Sequence, residues 1–475
     1  MPWLYSSLRR AFGHGIRFFF LDIQQSGESN IPAHGATIFA SNHPNSVMDT
    51  LVLGSEVPRT IHYLARSGLF RNPLVGLLLR GAGAIPISRR QDQKDPAAAM
   101  SNDDAFTAAY ELLKDGGVLG IFPEGQNAPT RFVRDIKTGC ARIGLGAEAA
   151  AGFSLDLRII PVGLNYEDRD RFLSKVLVRF GEPIELRAYE ARYAKDPSAT
   201  AREVTDRLQD AMRSVATHVD EHTIELVEAI DALAGEQIAE EIAPSLDLRT
   251  FDQRLTQRAL GRGRQRAPLE ERFQVKQWIA DAAEHFAEHE PSRLRKLEDD
   301  LARYQTHLER LRLRKDFAER NAESLSTRRE SIRLMLYAIL LSPIALYGLI
   351  HNFIPFRLAR RFALAAPEEA MMAIRAFGGG FGFFGMAYFG FGSLAWHGSQ
   401  SWLVTSLYLF SLAVSGVWFM RYRRTLQQMR RRILFGVLFR TQKRRIRALL
   451  DQRASLLTQV DSLRVDYEAV VRKDV

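Results

Sequence analysis

Two stretches near the C-terminal end, Ala376–Trp396 and Trp402–Met420, are apolar for long enough to cross a bilayer, and only His397-Gly398-Ser399-Gln400-Ser401 joins them. Inside lipid every backbone polar group needs an internal partner, which restricts such segments to helix. A transmembrane hairpin is therefore expected. A third apolar run, Leu334–Phe356, contains Pro343, His351, Asn352 and Pro355, which are costly on a lone lipid-facing helix. Arginines up to Arg333 precede the region, Arg357, Arg360 and Arg361 lie within it, and Arg421, Arg423, Arg424, Arg430, Arg431 and Arg432 follow it. The connection 397–401 carries no Lys or Arg. With 376–396 and 402–420 crossing and 334–356 re-entrant or interfacial, all these arginines face the cytosol, as the positive-inside asymmetry demands.

The net charge of +10 calls for a polyanionic partner. Because apolar spans adjoin the basic stretches, that partner is expected to be anionic lipid and not nucleic acid. The tail 421–475 reads as a basic cytosolic helix suited to headgroups. A single cysteine, Cys140, excludes an intrachain disulfide and a Cys-based zinc site, which fits a reducing compartment. Residues 1–20 hold Arg9, Arg10 and Arg17 among Trp3, Leu4, Leu8 and Phe12, without a small-residue cleavage site. They are expected to form an interfacial helix and not a signal peptide.

From 18 to 215 short apolar runs alternate with amphipathic ones. Strands are expected at 18–23, 36–40, 60–65, 84–88, 118–122, 158–162 and 176–180, and helices at 72–80, 103–113 and 138–151. Gly116-Gly117 closes one helix. This alternation specifies an α/β domain over 1–215 with a mixed, largely parallel sheet. Residues 216–332 turn to Glu, Arg, Ala and Leu, with Leu297, Leu301, Tyr304, Leu308 and Leu311 in heptad-like steps. They read as a helical hairpin or short coiled coil, which leaves room for a homo-oligomer through this region. His218/His222 and His285/His289 fall four apart, but no Glu follows the first His as zinc motifs require, so solvated helix faces are expected.

Chemistry points to Ser41-Asn42-His43-Pro44-Asn45-Ser46-Val47-Met48-Asp49. The stretch follows the apolar run 36–40, which puts His43 at the C-terminal end of a strand, where open α/β sheets bind ligands. Asp49 falls in the first turn of the next helix, capped by Ser46. A carboxylate accepting from one ring nitrogen leaves the other basic, which is how a base for a hydroxyl is built. The plain alternative is a capping box, Ser46-x-x-Asp49, with His43 a turn residue. Three further stretches end strands. Arg89 after 83–88 is either a phosphate fork or a solvated arginine. Phe122-Pro123-Glu124-Gly125 is a tight turn with an acid at its tip. Pro161, within Ile160–Asn165, marks an edge strand or a substrate wall.

In this order and spacing the four stretches, with Gly181-Glu182-Pro183-Ile184, resemble the sequence blocks of the glycerol-phosphate and lysophospholipid acyltransferase family over roughly 15–215. Five residues, Pro44 to Met48, separate His43 from Asp49 where the common motif has four. That spacing, Lys137-Thr138-Gly139, the helical insertion and the C-terminal membrane segments resemble the branch of yeast-type glycerol-3-phosphate/dihydroxyacetone-phosphate acyltransferases. The resemblance implies that His43 is the base and Asp49 its orienting acid. It implies that Asn42, Arg89, Glu124, Gly125 and Lys137 bind substrate, and that Pro161 lines the acyl channel.

It further implies transfer of a fatty acyl group from acyl-CoA or acyl carrier protein to glycerol 3-phosphate or dihydroxyacetone phosphate, in phospholipid biosynthesis, with no metal or redox cofactor. The rival acceptor is 1-acyl-glycerol 3-phosphate (lysophosphatidate), and a rival of another class is a non-catalytic membrane tether. The expected location is an integral membrane protein with its site on the cytosolic face, in the plasma or inner membrane of a bacterium or the endoplasmic reticulum of a eukaryote.

Overall fold

The computed structural model describes residues 9, 13, 15–17, 20, 22–71, 73–81, 83–87, 103–125, 133–167, 174–219, 223–242, 269–310, 327–365, 369–441 and 443–471. The chain divides into two compact units, one comprising 1–231 and 235–284, the other 232–234 and 285–475.

In the first unit the elements follow as β1 (Asp22–Ser26), β2 (Thr37–Ser41), α1 (Val47–Glu56), β3 (Ile61–Arg66), α2 (Pro73–Gly81), β4 (Ile85–Ile87), α3 (Asp103–Lys114) and β5 (Val118–Ile121). Then come α4 (Gly139–Ala150), β6 (Arg158–Tyr166), β7 (Lys175–Phe180), β8 (Ile184–Glu185), α5 (Glu190–Lys195), α6 (Pro197–Val215), α7 (Ile224–Ile242) and α8 (Leu269–His289). The described strands form an eight-stranded sheet in the order β1-β7-β6-β2-β5-β3-β4, with β8 also on β6. Strands β6, β2, β5, β3 and β4 pair in parallel, and β7 and β8 run antiparallel to β6.

The buried run Thr37–Ser41 is the middle strand, and its side chains divide between the two faces. Ala36, Ile38 and Ala40 pack with Ala109 and Leu113 of α3, Cys140, Ile143 and Leu145 of α4, and Val204 and Leu208 of α6. Phe39 points the other way, edge-on to Phe180 at 6.1 Å. Each such large side chain removed from water contributes about 1.5–3 kcal/mol. Asp196 caps α6 by accepting from the backbone of Ser198 and Ala199, with Pro197 at the first helical position.

Three local readings change. Where 18–23 was expected as strand, the Phe20 N–H bonds to the Ile16 carbonyl at 2.8 Å, so a helical turn ends there and β1 starts at Asp22. Ile16 and Phe20 are buried in the core, so those two residues face protein and not a membrane surface. Pro161 lies on an inner strand, not an edge. It sits opposite Ala40 of β2, between the residues of β6 that pair with β8 and those that pair with β7. Its carbonyl accepts from the Gly181 N–H, so its nitrogen, on the same side of the strand, faces the break where no ladder bond is required. His218 is not on a solvated helix face either. It follows α6, and its Nδ1 accepts from the Val133 N–H at 3.1 Å. His222 lies outside the described residues.

In the second unit α9 (Pro291–Arg310) is followed by three long helices, α10 (Thr327–Leu364), α11 (Glu369–Ser399) and α12 (Trp402–Thr441), and by α13 (Lys443–Val471). Of the expected stripe, Leu297, Leu301, Tyr304 and Leu308 are buried and Leu311 lies outside the described residues, and among the described residues its partner is not a neighbouring hairpin helix. It is α13, whose own buried stripe is Ile446, Leu449, Leu456, Val460 and Leu463. Polar contacts fix an antiparallel pairing: Arg293 with Ser462 and Asp466, Asp300 with Gln459, and His307 with Gln452.

The segment 334–356 lies inside one uninterrupted helix, α10, which carries Pro343 and Pro355 without reversing direction. The described helices long and apolar enough to cross a membrane are Ile332–Leu364 and Trp402–Gln427. Segment 376–396, expected to cross, belongs to α11, where the glycines from Gly378 to Gly392 lower its hydropathy below theirs. Helices α10 and α12 are antiparallel, because Tyr422 bonds to the Ala338 carbonyl whereas Asn352 bonds to the Leu412 carbonyl. Asn352 also accepts from Tyr388 of α11 at 2.8 Å, so its amide ties three helices together.

Candidate active site

Strand β2 exits through α1 towards β3, whereas β5 exits through α4 to β6 on the opposite side of β2. Connections that leave two adjacent parallel strands in opposite directions open a crevice at their C-terminal ends. His43 follows β2 and Glu124 follows β5, so the topology brings these two residues together there.

The His43 Nδ1 lies 2.9 Å from Asp49 Oδ2. The Asp49 side chain is fully buried, and that of His43 is 16% exposed. The same Oδ2 accepts from the Asn45 N–H at 2.7 Å, and Oδ1 accepts from the Tyr166 hydroxyl at 2.7 Å. With Nδ1–H held by the carboxylate, Nε2 is left as the basic nitrogen. The imidazole stacks on the Phe122 ring at 3.9 Å and 16°, and Tyr63 stacks parallel to Phe122 at 6.1 Å. Phe122 belongs to the Glu124 turn, so both walls of the crevice grip the ring.

The turn between His43 and Asp49 bends at Ser46, whose φ of 49° is left-handed for a residue with a Cβ. Ser46 occupies the N-cap position of α1, yet its side chain makes no capping bond. Asp49 reaches past it to the Asn45 N–H, so the capping-box alternative does not describe this turn.

Glu124 is buried, and its Oε1 accepts from the His43 N–H at 3.3 Å. Burial pushes its carboxyl up to about 7, opposed by backbone N–H donors from His43 and Arg134 and by the Arg134 charge. Gly125 has φ 75°, and a Cβ there would meet the Lys137 Nζ at 2.7 Å, so the lysine lies directly across the turn. The Lys137 N–H bonds to the Pro123 carbonyl at 2.9 Å, which anchors it there. Cation, acid and imidazole thus line one crevice.

The Asn42 side chain is held by the neighbouring strand. Its amide donates to the Leu164 carbonyl at 3.2 Å and accepts from the Leu164 N–H at 2.7 Å, extending the β2–β6 ladder by one side chain and fixing the backbone that carries His43. Pro161 is buried on β6, four residues before Asn165. Arg89 lies outside the described residues. Tyr166 was missed by sequence reasoning. It ends an apolar strand like any core aromatic, and only its position five residues beyond Pro161 on the strand next to β2 could have drawn attention to it.

Residues 22–165 match the family model described as Acyltransferase. Glycerol-3-phosphate O-acyltransferase 2 of Saccharomyces cerevisiae is 29% identical over 135 residues, 28% of this chain and 18% of that protein. Glycerol-3-phosphate O-acyltransferase 1 of the same yeast is 22% identical over 45% of this chain and 40% of its own length. The chain therefore spans less than half of either yeast protein. The 1-acyl-sn-glycerol-3-phosphate acyltransferase of Bacillus subtilis is 26% identical over 41% of this chain and 88% of that protein. Among solved structures, the 1-acyl-sn-glycerophosphate acyltransferase of Thermotoga maritima matches 44% of this chain and 79% of its own, at 20% identity and a TM-score of 0.32. The stretch that matches the Acyltransferase model, residues 22–165, holds His43, Asp49 and Glu124 together.

Proposed function

We propose that this protein moves a fatty acyl group from acyl-CoA or acyl carrier protein to the hydroxyl of glycerol 3-phosphate or dihydroxyacetone phosphate, as a membrane-bound step of phospholipid synthesis. The observation that carries the reading is the His43–Asp49 pair at 2.9 Å, in a crevice that also holds Lys137 and Glu124. His43 Nε2 takes the acceptor's hydroxyl proton as the oxygen attacks the thioester carbonyl. The carbon–sulfur bond then breaks, and the departing thiolate takes the proton back from the imidazolium. Asp49 holds the ring in the productive tautomer throughout. Lys137 supplies positive charge for the acceptor's phosphate, a task also assigned to Arg89. Arg89→Ala should then raise the acceptor KM more than it alters donor dependence.

The second acceptor, 1-acyl-glycerol 3-phosphate, is favoured by the Bacillus subtilis relative, most of whose length is matched. Membranes carrying the protein, supplied with labelled acyl-CoA or acyl carrier protein and each acceptor in turn, test the reading. Product from glycerol 3-phosphate is expected. Product from the lyso acceptor alone replaces the first substrate with the second, and none from any pair favours a tether. The apolar helices and the basic flanks support a site on the cytosolic side of the membrane.

A further inference from the structure

We propose that Tyr166 is a positioning residue for acyl transfer, its hydroxyl setting how strongly Asp49 holds His43; this rests on the His43 base assigned above. The inference starts from how the Asp49 oxygens are used. Oδ2 takes the His43 and Asn45 donors, whereas Oδ1 takes Tyr166 at 2.7 Å. The three donors come from the β2–α1 turn and from β6, so the carboxylate is fixed from two strands at once.

The phenol is well placed for this. Tyr166 is 6% exposed, ends β6 opposite Val176 of β7, and packs its ring on Phe20 at 5.7 Å. Burial and the adjacent Asp49 charge raise its ionisation well above the ordinary tyrosine value, so it remains a donor at working pH. Tyr166 lies one residue beyond the stretch matched by the family model.

A donor on Oδ1 draws negative charge away from the oxygen that faces the imidazole. Without it, Oδ2 holds Nδ1–H more tightly and favours the imidazolium. His43 is then protonated over a wider pH range, and the acid limb of the pH–rate profile moves to higher pH. Among the described residues, the other titratable or charged groups about the ring are Glu124, on the His43 N–H, with the Arg134 charge acting on that acid and Lys137 across Gly125, and Tyr63, stacked behind Phe122. All remain in a Tyr166→Phe protein, so a displaced limb belongs to the lost hydroxyl. A tyrosine that merely fills the core predicts less folded protein and an unmoved limb.

The experiment compares wild type, Tyr166→Phe and a protein with 3,5-difluorotyrosine at 166, whose hydroxyl is a stronger donor. Each is assayed for acyl transfer across pH in membranes, with peptide-resolved carbethoxylation of His43 by diethyl pyrocarbonate as a readout independent of turnover. The Phe protein should lose about ten- to a hundredfold in kcat, the size of one hydrogen bond to a charged group. Its acceptor KM should stay within about twofold of wild type. In both readouts its limb should move up in pH and that of the fluorinated protein down. A common limb in all three, or a loss confined to KM, overturns the inference. If wild type transfers no acyl group, the proposed function fails, and the His43 modification profiles still decide the role of Tyr166. If the Phe protein does not fold, the fluorinated one decides it alone.

Discussion

Arg293 in α9 donates to Ser462 in α13 at 2.7 Å across a sequence separation of 169 residues, and that interval contains both described helices apolar enough to cross a bilayer. Helices that pack side by side cannot lie on opposite faces of a membrane. The α9–α13 pair therefore requires an even number of crossings between 310 and 443, the parity that the arginine distribution also demands.

Cysteine scanning with an impermeant thiol reagent on a Cys140→Ser background tests this parity. Cysteines at Ser292 and Ser455, on the two partner helices, should share one labelling state in sealed oriented vesicles. Labelling of one alone would overturn the pairing. Ala365→Cys distinguishes the spans, because it is accessible from the opposite face if 332–364 and 402–427 cross and protected if 376–396 and 402–420 do.

His43→Ala should lower acyl transfer by about 10²–10⁴ while membrane insertion is unchanged. Asp49→Asn should lower kcat by a comparable factor, since the amide holds the wrong tautomer, and it leaves the Tyr166 contact in place. Undiminished transfer in either protein would remove the base assignment.

Glu124 gives a pH signature in stability. Its folded value is raised to about 7 from 4.5, so between these limits the folded state binds more protons than the unfolded one. This group's contribution to stability is therefore lost as pH rises through that window. In Glu124→Gln the amide oxygen still accepts from the His43 N–H but does not titrate. The thermal unfolding midpoint of the detergent-solubilised variant should gain on wild type from pH 5 to pH 8. A gap that stays constant with pH would show that the buried acid does not hold its proton.

Gly163→Ala tests how the end of α6 docks on the sheet. A Cβ there would lie 2.1 Å from the Val215 carbonyl oxygen, where Asn165 Nδ2 also bonds. Backbone on both sides cannot yield easily, so about 1–3 kcal/mol of destabilisation is expected, measured as a lowered midpoint in denaturant. A midpoint equal to that of wild type would show that this junction gives way.

Local patterning was enough for much of the fold. The β-branched and aromatic runs at 36–40, 118–122 and 158–162 became β2, β5 and β6, and the Gly116-Gly117 stop fell where α3 ends. His43 and Asp49 were legible because their meeting depends on one strand, one turn and one helix, all within a few residues of chain. Pairing between distant segments was not legible. That Pro161 lies inside the sheet follows from β7 and β8 sharing one side of β6, and the local rule that sends proline to edges cannot anticipate such a break. The heptad stripe on α9 announced a partner without saying which, because any apolar stripe of matching pitch satisfies it. The return of the chain through α10, α11 and α12 brings α13 to it. Tyr166 met Asp49 only because strand order set β6 beside β2, a decision made by the packing of α4 and α6 over the sheet and written in no single stretch of sequence.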